Sequence, residues 1–171
     1  MKKALKYTGV CSLLLAVVAF ILMLATPAIV NEAYGVQSVV KGGVAIFGSS
    51  EDLGFGFSAV TKAAPMGLLA WILALAGLVI VLLGVLLPLL KVRALEKFAG
   101  VLNLVAVGCF VVAGVFMFIV VPSFYGANGS DVPSTAAIGA GWVIGAIIYM
   151  VAGAIAILPA AADFLGKKKR K

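Results

Sequence analysis

The side chains that could do chemistry in this chain are few, and they are spaced badly for it. The sequence has no histidine, two cysteines (Cys11 and Cys109) and six carboxylates. Without histidine the commonest general base and the commonest metal ligand are both missing. Cys11 and Cys109 each stand alone inside an apolar stretch. They form neither a thiol pair for redox chemistry nor a disulfide framework in a loop, and a buried thiol behaves as a small hydrophobe. The Gly54-Phe55-Gly56 segment has no strand-to-helix context that would make it a phosphate loop. We therefore expect no catalytic residue, no cofactor and no metal, and a protein that is not an enzyme. The polar group set deepest in an apolar stretch is Asn103. It reads as a side chain that hydrogen-bonds between helices, with a partner on the second or fourth of them.

The elements that carry these residues follow from composition. Hydrophobic residues make up 64% of the chain and charged ones 11%, against ~45–50% and ~25% in soluble domains. The apolar residues fall into four stretches, residues 7–30, 65–90, 98–121 and 136–158, none with Asp, Glu, Lys or Arg. Each exceeds the ~20 residues needed to cross a bilayer core. Pro65, Pro88, Pro122, Pro133 and Pro159 sit at or near the edges, where helices tolerate a missing N–H. Ser134 and Thr135 are candidate caps for the fourth helix, and Pro27 a candidate kink in the first. The first stretch has the basic start of a signal peptide and small residues at Ala25–Ala28. Its apolar core is longer than the ~7–15 residues of a signal, so an anchor is expected. Cys11 lacks the preceding apolar segment of a lipobox.

Charge placement gives direction. Lys2, Lys3 and Lys6 precede the first stretch, Lys91, Arg93 and Lys97 lie between the second and third, and Lys167, Lys168, Lys169, Arg170 and Lys171 end the chain. The other two connections hold only Lys41 and Lys62. The positive-inside rule places both termini in the cytoplasm, in the plasma (inner) membrane. The net charge of +7 is thus an orientation signal rather than a nucleic-acid footprint. Lys91, Arg93, Lys97 and the tail, residues 160–171, are expected to meet anionic lipid headgroups, each base contributing ~1 kcal/mol.

The outer loop, residues 31–64, is long for a connection. Val36–Val40 reads as a strand, Lys41-Gly42-Gly43 as a turn, Val44–Phe47 as a returning strand and Leu53–Val60 as a third strand or a membrane-hugging segment. The loop is either a lid or a docking surface, with Val36, Val40, Phe47, Phe55 and Phe57 as candidate docking residues. In the second outer loop, Asn128-Gly129-Ser130 matches a glycosylation acceptor and reads as a plain turn.

Helices in lipid associate by close packing of small residues. Gly77 and Gly84 in the second stretch, Ala106 and Ala113 in the third, and Ala137, Gly141, Gly145 and Gly153 in the fourth recur at helical spacing. They suit packing within the chain, or a self-association face on the fourth helix. Trp71, Trp142 and Tyr7 lie near stretch ends, as an interfacial belt would have them.

Four spans, internal termini, a long first outer loop with strands and a short second one together resemble the claudin-like tetraspans in layout. The Trp, Gly-Leu-Trp and Cys pair of the claudin first loop have no counterpart here, and the small, disulfide-free loops and basic ends are also similar to an uncharacterised bacterial four-span inner-membrane protein. The expectation is one integral membrane domain over residues 1–171. Its fold is an all-helical transmembrane four-helix bundle, with a β-hairpin or three-stranded extracytoplasmic element between spans one and two. It would act by interaction, as an accessory, scaffold or immunity-type subunit with a protein partner or as a homo-oligomer. The alternative is a small homo-oligomeric channel or permease component.

Overall fold

A computed structural model describes residues 2–33, 35–54, 57–89 and 99–168. The first element, α1 (Lys2–Ala25), stops five residues before the expected boundary. The cause is local. A residue before proline is pushed out of the helical region, and Thr26 precedes Pro27. Thr26 also turns its hydroxyl back onto the Leu22 carbonyl, at 2.6 Å. Pro27 is therefore no kink; it opens a strand, β1 (Pro27–Ala33), with β-branched Ile29 and Val30 at its centre.

Gly35, at a φ of +76°, lies in the β1–β2 connection, and β2 (Val36–Lys41) returns antiparallel, pairing Val30 with Val39 and Asn31 with Ser38. The expected strand at Val36–Val40 is present, but its partner is β1. Val44–Phe47, expected as the returning strand, lies instead in a short helix, α2 (Gly42–Phe47). That helix ends on Gly48, whose φ of +75° suits glycine and whose N–H reaches the Val44 carbonyl at 2.8 Å. Next come β3 (Ser49–Gly54) and β4 (Phe57–Thr61), a separate antiparallel hairpin.

Three further long helices follow, α3 (Pro65–Leu89), α4 (Ala99–Phe118) and, after the short α5 (Val120–Ala127), α6 (Ala140–Lys168). The break between α4 and α5 falls at Ile119, which leaves helical geometry with φ −103° and ψ 15°. Pro122 lacks an N–H for the Phe118 carbonyl, and its ring crowds that carbonyl. The fourth stretch does not start as a helix. Ala136–Ile138 forms β5, which pairs with β1 (Ile29 with Ile138) and completes a sheet of order β2-β1-β5. The sheet thus borrows a strand from ahead of α6 rather than lying wholly between the first two long helices. Ser134 and Thr135 precede β5 and cap no helix. The helix α6 also runs through Pro159, expected as its end, to Lys168.

Among the described residues, four helices are long and apolar enough to cross a membrane, with windows at Thr8–Ala25, Pro65–Leu86, Gly100–Phe118 and Ala140–Leu158. The helix α6 packs on α1 and α4, and α4 on α3; α1 and α3 touch more lightly. Trp142, Tyr149, Phe110, Met23 and Met117 fill the interior, while Leu14, Ile21, Ile72, Leu104 and Ile147 face outward. Among the described residues, the five strands, with α2 and α5, gather at the end of the helices where α1 stops and α3 and α6 begin. We call this assembly the cap.

Candidate functional site

Two regions compete as the site of action, the helix interfaces and the cap. The helix interfaces are closed by contacts within the chain. A methyl group at Gly77 would lie 2.6 Å from the Phe110 ring, and one at Gly84 would lie 2.7 Å from Asn103 Oδ1. These two glycines are therefore the α3 face against α4. Asn103 is buried, with its side chain beside Gly84 of α3. Ala106 and Ala113 are fully buried on α4. On α6, a methyl group at Gly145 would lie 3.3 Å from Met117 Cε and one at Gly153 3.5 Å from the Val107 carbonyl, both in α4. Gly141 has no room for a methyl group beside the Thr26 side chain. Ala137 does not belong to this stripe, because it sits exposed in β5, paired with Val30.

Several interior contacts lay hidden in the sequence. Ser12 donates its hydroxyl to the Ala152 carbonyl across α1 and α6, at 2.8 Å. The signal for it is periodic, since Ser12, Ala16, Ala19 and Met23 recur at helical spacing and are all fully buried. Gly114 gives α4 close approach to α6, since a methyl group there would lie 3.0 Å from the Ala146 carbonyl. Trp142, expected in an interfacial belt, is fully buried and donates Nε1–H to the Met23 carbonyl at 2.9 Å. The early stop of α1 explains this. The last carbonyls of a helix have no intrahelical partner; Leu22 O receives Thr26, and Met23 O receives the indole. Tyr149 stacks on Phe110 with centroids 5.7 Å apart, and its hydroxyl has no protein partner among the described residues.

The cap is locked to the helices by side chains on α5 and in the turn that follows it. Ser123 Oγ accepts the Met66 N–H at 3.0 Å and so caps the start of α3. Asn128 clamps the approach to α3. Its Oδ1 accepts the Lys62 N–H at 2.8 Å, and its Nδ2 donates to the carbonyls of Lys62 and Phe124 at 3.1 and 2.9 Å. Asn128-Gly129-Ser130 is the expected turn, with its amide nitrogen fully occupied where a glycan would attach. Thr135 donates to Asn31 Oδ1, tying the approach to β5 onto β1.

Of the candidate docking residues, Val36 is 69% exposed, Val40 is half-buried, and Phe47 meets Trp71 edge-on at 5.2 Å while staying 57% exposed. Phe47 thus leans on α3 through Trp71. Phe57 opens β4, and Phe55 lies outside the described residues. Val39 and Val60 add to the exposed apolar surface. A groove of about 370 Å³ separates β2 from the β3–β4 hairpin, with Val44 and Phe124 among its walls. The basic residues Lys91, Arg93, Lys97, Lys169, Arg170 and Lys171 lie outside the described residues; Lys167 and Lys168 end the backbone of α6.

No family model matches this chain, and a search of curated proteins found no match either.

Proposed function

We propose that the protein is a non-enzymatic four-span membrane protein, with both termini in the cytoplasm, that works by docking another protein on its cap. The four long helices form the transmembrane bundle, and the cap lies on the extracytoplasmic side. One observation carries this reading. The small-residue faces that could have joined this chain to another are used inside the chain, at Gly77, Gly84, Gly145 and Gly153. The cap instead leaves Val36, Val39 and Val60 uncovered. Outward apolar residues on the long helices are matched by lipid tails. Apolar residues on a water-facing cap have no such match, and covering them with a partner would take them out of water.

The direction rests on the basic clusters, whose residues, from Lys91 to Lys97 and from Lys167 to Lys171, hold anionic headgroups on the cytoplasmic face. The likeness of plan to the claudin-like tetraspans extends to layout alone. On this reading α1 is a retained anchor, because it holds Ser12 and Met23 against α6 and leads directly into the central strand of the sheet.

Single-cysteine labelling tests the orientation. A cysteine at Ser50 should react only from outside and one at Lys168 only from inside; the opposite pattern overturns it. Replacing Val36, Val39 and Val60 together by Ser tests the docking role. A protein that co-purifies with the wild type should be lost, with the thermal midpoint unchanged. Undiminished co-purification sinks the proposal.

A further inference from the structure

The groove between the two β units has walls of unlike kind. From β2 it is lined by three consecutive residues, Val39, Val40 and Lys41. Successive strand side chains point to opposite faces, so three in a row means that β2 presents its backbone edge. That edge is open to pairing, since β2 is the outermost strand of the β2-β1-β5 sheet. From the hairpin the groove is lined by alternate residues, Ser49 and Glu51 of β3 and Ala59 and Thr61 of β4. These are two cross-strand pairs, Ser49 with Thr61 and Glu51 with Ala59. The hairpin therefore presents a face. A backbone edge on one side and a side-chain face on the other is the environment of a missing strand.

Charge says more about the occupant. Lys41 and Glu51 stand on the two walls, both exposed, and neither belongs to an ion pair among the described residues. A second copy related by a twofold axis would set this concave groove against another concave groove and leave both unfilled. One extended segment fills it. We propose that the groove accepts an extended peptide segment of a partner protein, which adds as a strand to the free edge of β2. It sets an apolar side chain toward Val44 and Phe124, an acidic one toward Lys41 and a basic one toward Glu51. Main-chain hydrogen bonds supply affinity and the alternate side chains supply selection. The inference rests on the reading of the cap as a docking surface and names the class of partner.

The test uses the full chain in nanodiscs and a blocked seven-residue probe peptide that alternates valine and threonine and carries one glutamate and one lysine. Two further probes are N-methylated on alternate residues, so each loses the donors along one edge. The unmodified probe should bind saturably. One methylated probe should bind equally well, and the other should bind about tenfold or more weakly, because several main-chain hydrogen bonds are removed. K41E and E51K should each weaken binding about two- to fivefold without changing the thermal midpoint. No saturable binding, equal binding of both methylated probes, or indifference to both charge reversals overturns the proposal. So does a photo-reactive residue at Val39 that crosslinks only to a second copy of the chain. Failure here with a partner still lost from the triple Val variant leaves the cap as the docking surface and rejects the groove; loss of both effects rejects both.

Discussion

The interior between the long helices and the cap above it treat their polar and apolar groups in opposite ways. Inside, close matches are made within the chain. Gly77 receives the Phe110 ring, Ser12 finds the Ala152 carbonyl, and Trp142 finds the Met23 carbonyl. The cap is tied down as firmly at its base, by Asn128 and Ser123, yet its upper side leaves valines exposed and the β2 edge unpaired. In a chain this apolar, hydrophobic surface by itself signals nothing, because on the proposed reading lipid covers the helices. Position decides its meaning. On that reading an exposed valine on α4 meets acyl chains, whereas one on β2 meets water.

That contrast can be broken by substitution, in graded steps. The largest effect should come from Trp142→Ala, which removes the largest fully buried side chain and strands the Met23 carbonyl. A loss of about 3–5 kcal/mol is expected, read as a fall in the thermal midpoint in detergent; a change below about 1 kcal/mol would show that the helix ends are not locked there. Gly77→Leu comes next. The Phe110 ring has to move, and overpacking of this kind costs about 1–3 kcal/mol.

Asn128→Ala removes three hydrogen bonds at the base of the cap, two of them to an exposed segment. About 1–2 kcal/mol should be lost, with faster amide exchange around Lys62 and Met66 and little change along α6. Uniform loosening would mean that cap and helices unfold as one unit. Ser12→Ala should cost about 0.6 kcal/mol, the average for interhelical hydrogen bonds in membranes. At the bottom of the scale, Val36→Thr and Val60→Thr should shift stability by no more than about 0.5 kcal/mol. A larger loss would mark these side chains as part of the fold rather than of an interaction surface.

How far the sequence foretells each region follows the same division. The long helices are legible because uninterrupted apolar runs leave a backbone little choice, and Gly77 and Gly84 declare their face by spacing alone. The cap is harder to read. The apolar run passes without a break from α1 into β1 and from β5 into α6, so hydropathy absorbs both strands into the spans. Pro27 was the mark of the first boundary, since a helix seldom continues across the residue before proline. Val44–Phe47 is a short apolar run whose length and pattern suit a strand or a helix equally. In the structure the run follows Gly42, which passes so close to the Met23 carbonyl that a side chain has no room. Trp142 was misplaced for a related reason. Near the end of an apolar run an indole suits the membrane interface, and only the early end of α1 creates the carbonyl that draws it inside.

The central claim is that association belongs to the cap and the helices serve as anchor and scaffold. The most direct measurement compares two variants of the full chain, expressed in the source cells and purified by the same mild detergent procedure. In one, Val36, Val39 and Val60 are changed to Ser; in the other, outward residues Leu14, Leu104 and Ile147 are changed to Ala. The account predicts that the co-purifying protein disappears from the first preparation and persists in the second, with both variants folded. Retention in the first and loss in the second would contradict it and move the interaction surface into the membrane.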